Sequence, residues 1–182
     1  MLKYFFFIFL IIFLTSTNAN NKKKIIENLK NTNNFNFQFE QNINNKTENG
    51  NCTVKYPKKI FCEYSKSNNK ILVSNGKTLV IKTISSYYQY PLKRTPLNFI
   101  LDKNFLIDKI YGLEERTLDD TYLNYKIIEN DNEINIFFDN RSFNLIGWQT
   151  KDIYQNINIT FISSIRKNQI ITKDLFKLPL PN

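Results

Sequence analysis

The chain has 182 residues, with 25 basic and 16 acidic side chains, a formal net charge of +9, two cysteines and no histidine. That length suits one domain with its own core. The lack of histidine removes the commonest general base, the Ser-His-Asp arrangement and most metal sites, and two cysteines are too few ligands for zinc.

Lys3 is followed by an unbroken apolar run from Tyr4 to Leu14 and then by small residues at Thr17 and Ala19. This reads as a signal peptide over residues 1–19, cut after Ala19. The run falls short of the ~20 apolar residues of a membrane span. Residues 20–182 are then one soluble, exported domain. Its basic balance attracts phosphates, acidic lipid headgroups or acidic proteins, with nucleic acid the least expected after export; Lys and Asn also simply fill solvent faces. Asn20 and Asn21 follow the cut, so no cysteine stands where a lipid-anchored protein needs one.

Ile25, Ile26 and Leu29 in KKKIIENLKN predict a short amphipathic helix over 22–31. Phe35-Asn36-Phe37-Gln38-Phe39-Glu40 alternates strictly, which predicts a strand with one aromatic face. Polar residues 42–50 read as a connection. Strands near 50–56 and 60–66 flank a turn at Tyr56-Pro57-Lys58-Lys59. Cys52 and Cys62 lie on either side of that turn, as a disulfide or as two buried thiols. Asn75-Gly76 between Ile71-Leu72-Val73 and Leu79-Val80-Ile81 predicts a hairpin with both turn residues at positive φ. Both of its faces are apolar, which raises the question of what each face touches. Tyr87-Tyr88-Gln89-Tyr90 reads as a further strand.

Thr95-Pro96 is a helix start, with Leu97-Asn98-Phe99-Ile100-Leu101 following as a short apolar helix. A second short helix fits near 104–109. Strands are expected near 121–129, 133–138, 143–151 and 156–165, with turns at Asn130-Asp131-Asn132, Asp139-Asn140-Arg141 and Asp152-Ile153. A last helical turn around 174–179 is stopped by Pro179. This spacing suits an antiparallel sandwich or barrel.

The best carboxylate candidates for catalysis are Glu114-Glu115 and Asp119-Asp120, within the polar stretch LEERTLDD, which reads as a solvated loop. No nucleophile-elbow, phosphate-loop or dinucleotide pattern is present. No catalytic residue, metal or cofactor is assigned, and the chain reads as a non-enzyme. The 16 Phe and 10 Tyr instead supply apolar surface. The short apolar helices are too few to cover a large sheet thickly and serve better as a lid over an apolar cavity.

Several segments resemble the outer-membrane lipoprotein carrier (LolA) family. They are ILVSNGKTL at 71–79, Tyr90-Pro91-Leu92 with Thr95-Pro96-Leu97, Gly147-Trp148-Gln149 with Asp152, the ending Asp174-Leu175-Phe176-Lys177-Leu178-Pro179, and Phe39-Glu40-Gln41. The resemblance implies a mainly β protein with a short α lid, an unclosed antiparallel β-barrel enclosing an apolar cavity. It implies a monomeric periplasmic chaperone that takes triacylated lipoproteins from an inner-membrane ABC-type complex to an outer-membrane acceptor. Phe35, Phe37, Phe39, Val54, Tyr56, Ile60, Leu97 and Ile100 would line the acyl-chain cavity. Ile60, Val54, Cys52 and Cys62 would share the inward face, as a cross-strand disulfide needs. Lys93 and Arg94 are candidates for partner docking. Many members carry Arg where this chain has Tyr56, so lid closure is expected to be tuned differently here. Other readings are a lipid-binding or envelope-stress-sensing protein of the same fold, or a secreted structural or adhesion protein.

Overall fold

The structure is a computed structural model and describes residues 20–65, 68–118, 121–151 and 155–181. The expected signal peptide, the Asp119-Asp120 pair and the turn at Asp152-Ile153 lie outside the described residues. Residues 20–30 form a helix, α1. Its Ile25, Ile26 and Leu29 are buried along one face, as their spacing requires.

The strands are β1 (Asn34–Ile43), β2 (Lys46–Lys55), β3 (Lys59–Tyr64), β4 (Ile71–Asn75), β5 (Thr78–Lys82), β6 (Tyr87–Pro91), β7 (Arg116–Leu118), β8 (Tyr122–Glu129), β9 (Asn132–Asp139), β10 (Leu145–Lys151) and β11 (Ile157–Lys167). Between β6 and β7 run a 3-10 turn (Leu92–Arg94), α2 (Leu97–Ile100) and α3 (Lys103–Gly112). Among the described residues all the strands join one sheet, in the order β6-β5-β4-β3-β2-β1-β11-β10-β9-β8-β7. Two antiparallel meanders, β1 to β6 and β7 to β11, are thus fused through β1 and β11, which pair antiparallel from Phe35↔Lys167 to Ile43↔Asn158. The edges β6 and β7 stay apart, so the barrel is unclosed as expected. The helical segment is the chain that passes between those edges.

Two turns differ from the sequence reading. Residues 42–50 are not a connection: β1 and β2 continue through them, and only Asn44 and Asn45 turn, with φ of 50° and 62°. Asparagine tolerates that region, and residues 44–47 around the turn are exposed. At 74–79 only Gly76 takes positive φ, at 100°. Asn75 instead ends β4, and its Oδ1 accepts hydrogen bonds from the N–H groups of Lys77 and Thr78, both at 3.0 Å. The short strand β7 gave no sequence signal, since all three of its residues are exposed.

The core is uneven. On the β8–β10 side, Tyr125, Ile127, Ile134, Ile136 and Phe138 are almost fully buried, in one cluster with Ile25 of α1 and Leu106 and Ile110 of α3. The opening hairpin has its two faces answered differently. Leu72 and Ile81 pair on the inner face, whereas Val73 and Val80 pair on the outer face and are also buried. The C-terminal segment crosses that outer face: Phe176 is buried, and Lys82 Nζ donates to Leu180 O at 2.8 Å.

Gly50 sits where β2 passes under two rings. Phe39 and Tyr64 oppose it on either side, with ring centroids 4.9 Å apart. A Cβ there would collide with the Glu63 carbonyl and come within 2.9 Å of Phe39 Cε1. Gly50→Ala is therefore expected to lower the unfolding free energy by about 1–3 kcal/mol, as overpacking does. Urea denaturation checks this, and an unchanged midpoint would show that β2 and β3 give way there at no cost.

Candidate functional site: an apolar cavity under the lid

Over the β1–β5 side the sheet keeps an open cavity of about 250 Å³. Phe37 and Phe39 of β1, Ile60 of β3, Leu72 of β4, and Leu79 and Ile81 of β5 form its wall. Leu97 and Ile100 of α2 roof it, with Thr95 and Pro96 just before them. Trp148 of β10 closes the far side, edge-on to Phe37 at 6.4 Å. Cys52 and Cys62 oppose each other across β2 and β3, are joined by a disulfide, and line the floor. The period-two alternation of these strands sends all of these side chains to one face.

One end of the cavity is polar. Gln41 Nε2 donates to Asn158 Oδ1 at 2.9 Å and to Thr160 Oγ1 at 3.1 Å. Lys70 pairs with Glu48 at 2.6 Å and stands 4.1 Å over the Tyr64 ring. An apolar chamber with a wet end suits an amphiphile whose tail is sheltered and whose head meets water.

The expected site residues divide. Phe37, Phe39, Ile60, Leu97 and Ile100 line the cavity with both cysteines. Phe35 and Tyr56 lie outside it, in a narrow crevice with Leu29 of α1 and Phe143. Their side chains share the face of Phe37, but α1 occupies the space in front of them. Val54 is 1% exposed and belongs to the packed core, not to the lining. Lys93 and Arg94 are exposed in the 3-10 turn, and none of the described ion pairs includes them. Leu72, Leu79, Ile81 and Trp148 were missed. The hairpin is apolar on both faces, so its pattern could not select the inner one, and Trp148 comes from the other meander.

Lysines hold the lid, and Tyr56 meets it only through its ring, 5.9 Å from Lys103 Nζ. Tyr56 is packed against Phe35, with ring centroids 5.8 Å apart. Two residues on, Lys58 N donates to Leu101 O at 2.7 Å, and Lys58 Nζ pairs with Asp102 Oδ2 at 3.2 Å. Asp102 also caps α3, accepting from Phe105 N at 3.2 Å. Lys103 Nζ donates to Thr32 O at 2.9 Å and Lys30 O at 3.2 Å, tying the lid to the end of α1. Half-exposed ion pairs contribute only ~0–1 kcal/mol, so these ties hold the lid without locking it.

Residues 30–179 match the family model for the outer membrane lipoprotein carrier protein LolA. The chain belongs to the LolA family. Family members are periplasmic carrier or binding proteins rather than enzymes. The fold is also similar to an uncharacterized conserved protein from Thermus thermophilus, at 7% identity and TM-score 0.52, covering 89% of this chain and 94% of that one. A LolA superfamily protein from Nitrosomonas europaea is similar at 9% identity and TM-score 0.46, over 88% of this chain and 97% of that one. The Pseudomonas aeruginosa MucA/MucB complex matches at 9% identity and TM-score 0.46, over 89% of this chain and 61% of that one. No curated protein matches by sequence. No helix among the described residues is long and apolar enough to cross a membrane, and none of their His, Cys, Asp and Glu side chains group in threes to hold a metal.

The buried Tyr56 and Tyr125 and the half-buried Tyr64 couple the fold to pH. Burial is the main cause that raises the hydroxyl pKa of Tyr56, Tyr64 and Tyr125, followed by the Asp102 charge, the Glu48 charge and the Glu115 hydrogen bond respectively. Tyr125 Oη donates to Glu115 Oε2 at 2.6 Å, and Glu115 Oε1 accepts from Asn21 Nδ2 at 2.9 Å, which links α1 to β8. Unfolded tyrosines ionise near pH ~10, whereas the folded ones hold their protons to higher pH. Their stabilisation is therefore complete below pH ~10 and is lost as the pH rises beyond it. Urea midpoints are expected to fall from pH ~10 upward. The fall should be shallower in Tyr125→Phe than in the parent; equal slopes would contradict this coupling.

Proposed function

We propose that the protein is a periplasmic chaperone that shelters the acyl chains of lipoproteins between the inner and the outer membrane. The observation that supports this most is the apolar cavity between β1–β5 and α2, with one polar end. An acyl chain of about fifteen methylenes left in water forfeits ~12 kcal/mol, at ~0.8 kcal/mol per CH₂. Lipoproteins therefore need a shelter to cross an aqueous compartment. A carrier must also let go, which favours an adaptable wall and a weakly tethered lid over a tightly complementary pocket.

At about 250 Å³ the cavity is smaller than the ~300–1,000 Å³ of typical ligand sites. Loading must displace α2, and the Lys58–Asp102 and Lys103 ties beside it set how readily that happens. No bond is made or broken in the cargo, so no general acid, base or cofactor is needed. The partners on this reading are triacylated lipoproteins, an inner-membrane ABC-type releasing complex and an outer-membrane acceptor. A sensor of envelope lipoproteins with the same cavity is the second reading, and it would bind cargo without delivering it.

Spheroplasts of a bacterium that carries the releasing complex test the proposal. Added protein should bring lipoproteins into the supernatant above the level given by an unrelated basic protein. Ile81 is only partly buried on the cavity wall, so Ile81→Glu should keep the fold and reduce that release severalfold. Folded parent protein that releases nothing would contradict the carrier reading.

A further inference from the structure

The apolar wall continues past the cavity. Leu79 and Ile81 line it from β5, and their cross-strand partners on β6 are Tyr90 and Tyr88. Opposed residues of an antiparallel pair project from one face. Tyr88 and Tyr90 therefore extend the same wall by one strand, outside the cavity. Both rings meet solvent there, at 53% and 43% exposure.

β6 is an edge of the sheet. The phase of its ladder decides which main-chain groups are left over. Leu92 N donates to Lys77 O and Thr83 N donates to Ser86 O, each at 2.9 Å. Both pairs continue the register of β5 and β6, so alternation makes Tyr88 and Tyr90 the residues bonded to β5. The N–H and C=O groups of Tyr87 and Gln89 then point away from the sheet, and no described residue meets them. Pro91 shares this outward phase, where a missing N–H costs the ladder nothing. The strand reads Tyr-Tyr-Gln-Tyr-Pro, with none of the lysines or bulges that commonly blunt an edge.

We propose that β6 is a docking strand for an extended polypeptide, the segment of cargo directly following its acylated terminus. This rests on the acyl-chain reading of the cavity. Chains inside the cavity are covalently attached to a polypeptide that must leave at the mouth. Lys70 at the polar end directly precedes Ile71, and the ladder from Ile71 through Lys82 reaches Tyr87, so the start of β6 stands at that end. A cargo strand added there makes main-chain hydrogen bonds to Tyr87 and Gln89, which do not depend on its sequence. That suits a carrier of many clients. The rings of Tyr88 and Tyr90 cover the first side chains beyond the lipid.

Two probes test this, a synthetic triacylated lipopeptide and a fluorescent fatty acid, each titrated into the parent and into Gln89→Pro. Proline at 89 removes an outward N–H and leaves the bonds to β5 in place. The variant should bind the lipopeptide about fivefold more weakly, the worth of one net hydrogen bond, and the fatty acid equally well. A lipopeptide N-methylated along its main chain loses its donors to both Tyr87 O and Gln89 O and should bind the parent more than fivefold more weakly, which decides the matter even if the variant folds poorly. Equal binding of methylated and unmethylated lipopeptide overturns the proposal and leaves the acyl reading standing. A parent dimer that Gln89→Pro makes monomeric assigns the edge to a second copy and also overturns it. A parent that binds neither probe overturns the acyl reading itself.

Discussion

The pairing of β1 with β11 is the contact on which the rest of this molecule depends. It joins strands more than a hundred residues apart in sequence and fuses two hairpin meanders into one sheet. Without it each meander would be a separate sheet with an unprotected apolar face. With it, Phe37 and Phe39 of one meander face Trp148 of the other across a shared interior. The sheet twist then curls those faces toward each other. The helical connection must span from one free edge to the other, and in doing so it becomes the roof.

The interior that results is filled unevenly, with the open space on the β1–β5 side. α1 and α3 share one buried cluster with β8–β10 and α1 also covers Phe35 and Tyr56, whereas α2 roofs the cavity over β1–β5. That asymmetry separates stability from function. The packed half holds the fold, and the loosely roofed half holds the cavity. The ties across the roof are half-exposed ion pairs and lysine-to-carbonyl bonds, whose modest worth permits opening. The cross-strand disulfide ties β2 to β3 in the cavity floor.

Much of the fold was legible locally. The Phe35–Phe39 alternation, the apolar runs around Asn75-Gly76 and the Thr95-Pro96 helix start each carry their own turn or period. Phe37, Phe39, Ile60, Leu97 and Ile100 could be placed in the cavity from strand parity, helix start and family resemblance together. Phe35, Val54 and Tyr56 could not, because parity gives a face but not what stands in front of it. α1 and the packed core fill that space, through contacts distant in sequence. The two-sided hairpin was ambiguous for the same reason, since its outer face is covered by a segment a hundred residues away. The tethering role of Lys58 was hidden because a lysine in a turn ordinarily reads as solvated. The Asn44-Asn45 turn and β7 went unseen because neither lies against the core, which is what creates hydrophobic periodicity.

On the proposed reading, acyl chains enter the inner face of β3–β5 and not its outer face. Methyl-labelled Ile, Leu and Val report on both faces of the same strands, so one titration with a triacylated lipopeptide followed by NMR separates them. Shifts are expected at Ile60, Leu72, Leu79, Ile81, Leu97 and Ile100, with Val73 and Val80 unmoved. Shifts confined to Val73 and Val80, or none at saturating lipopeptide, would contradict it.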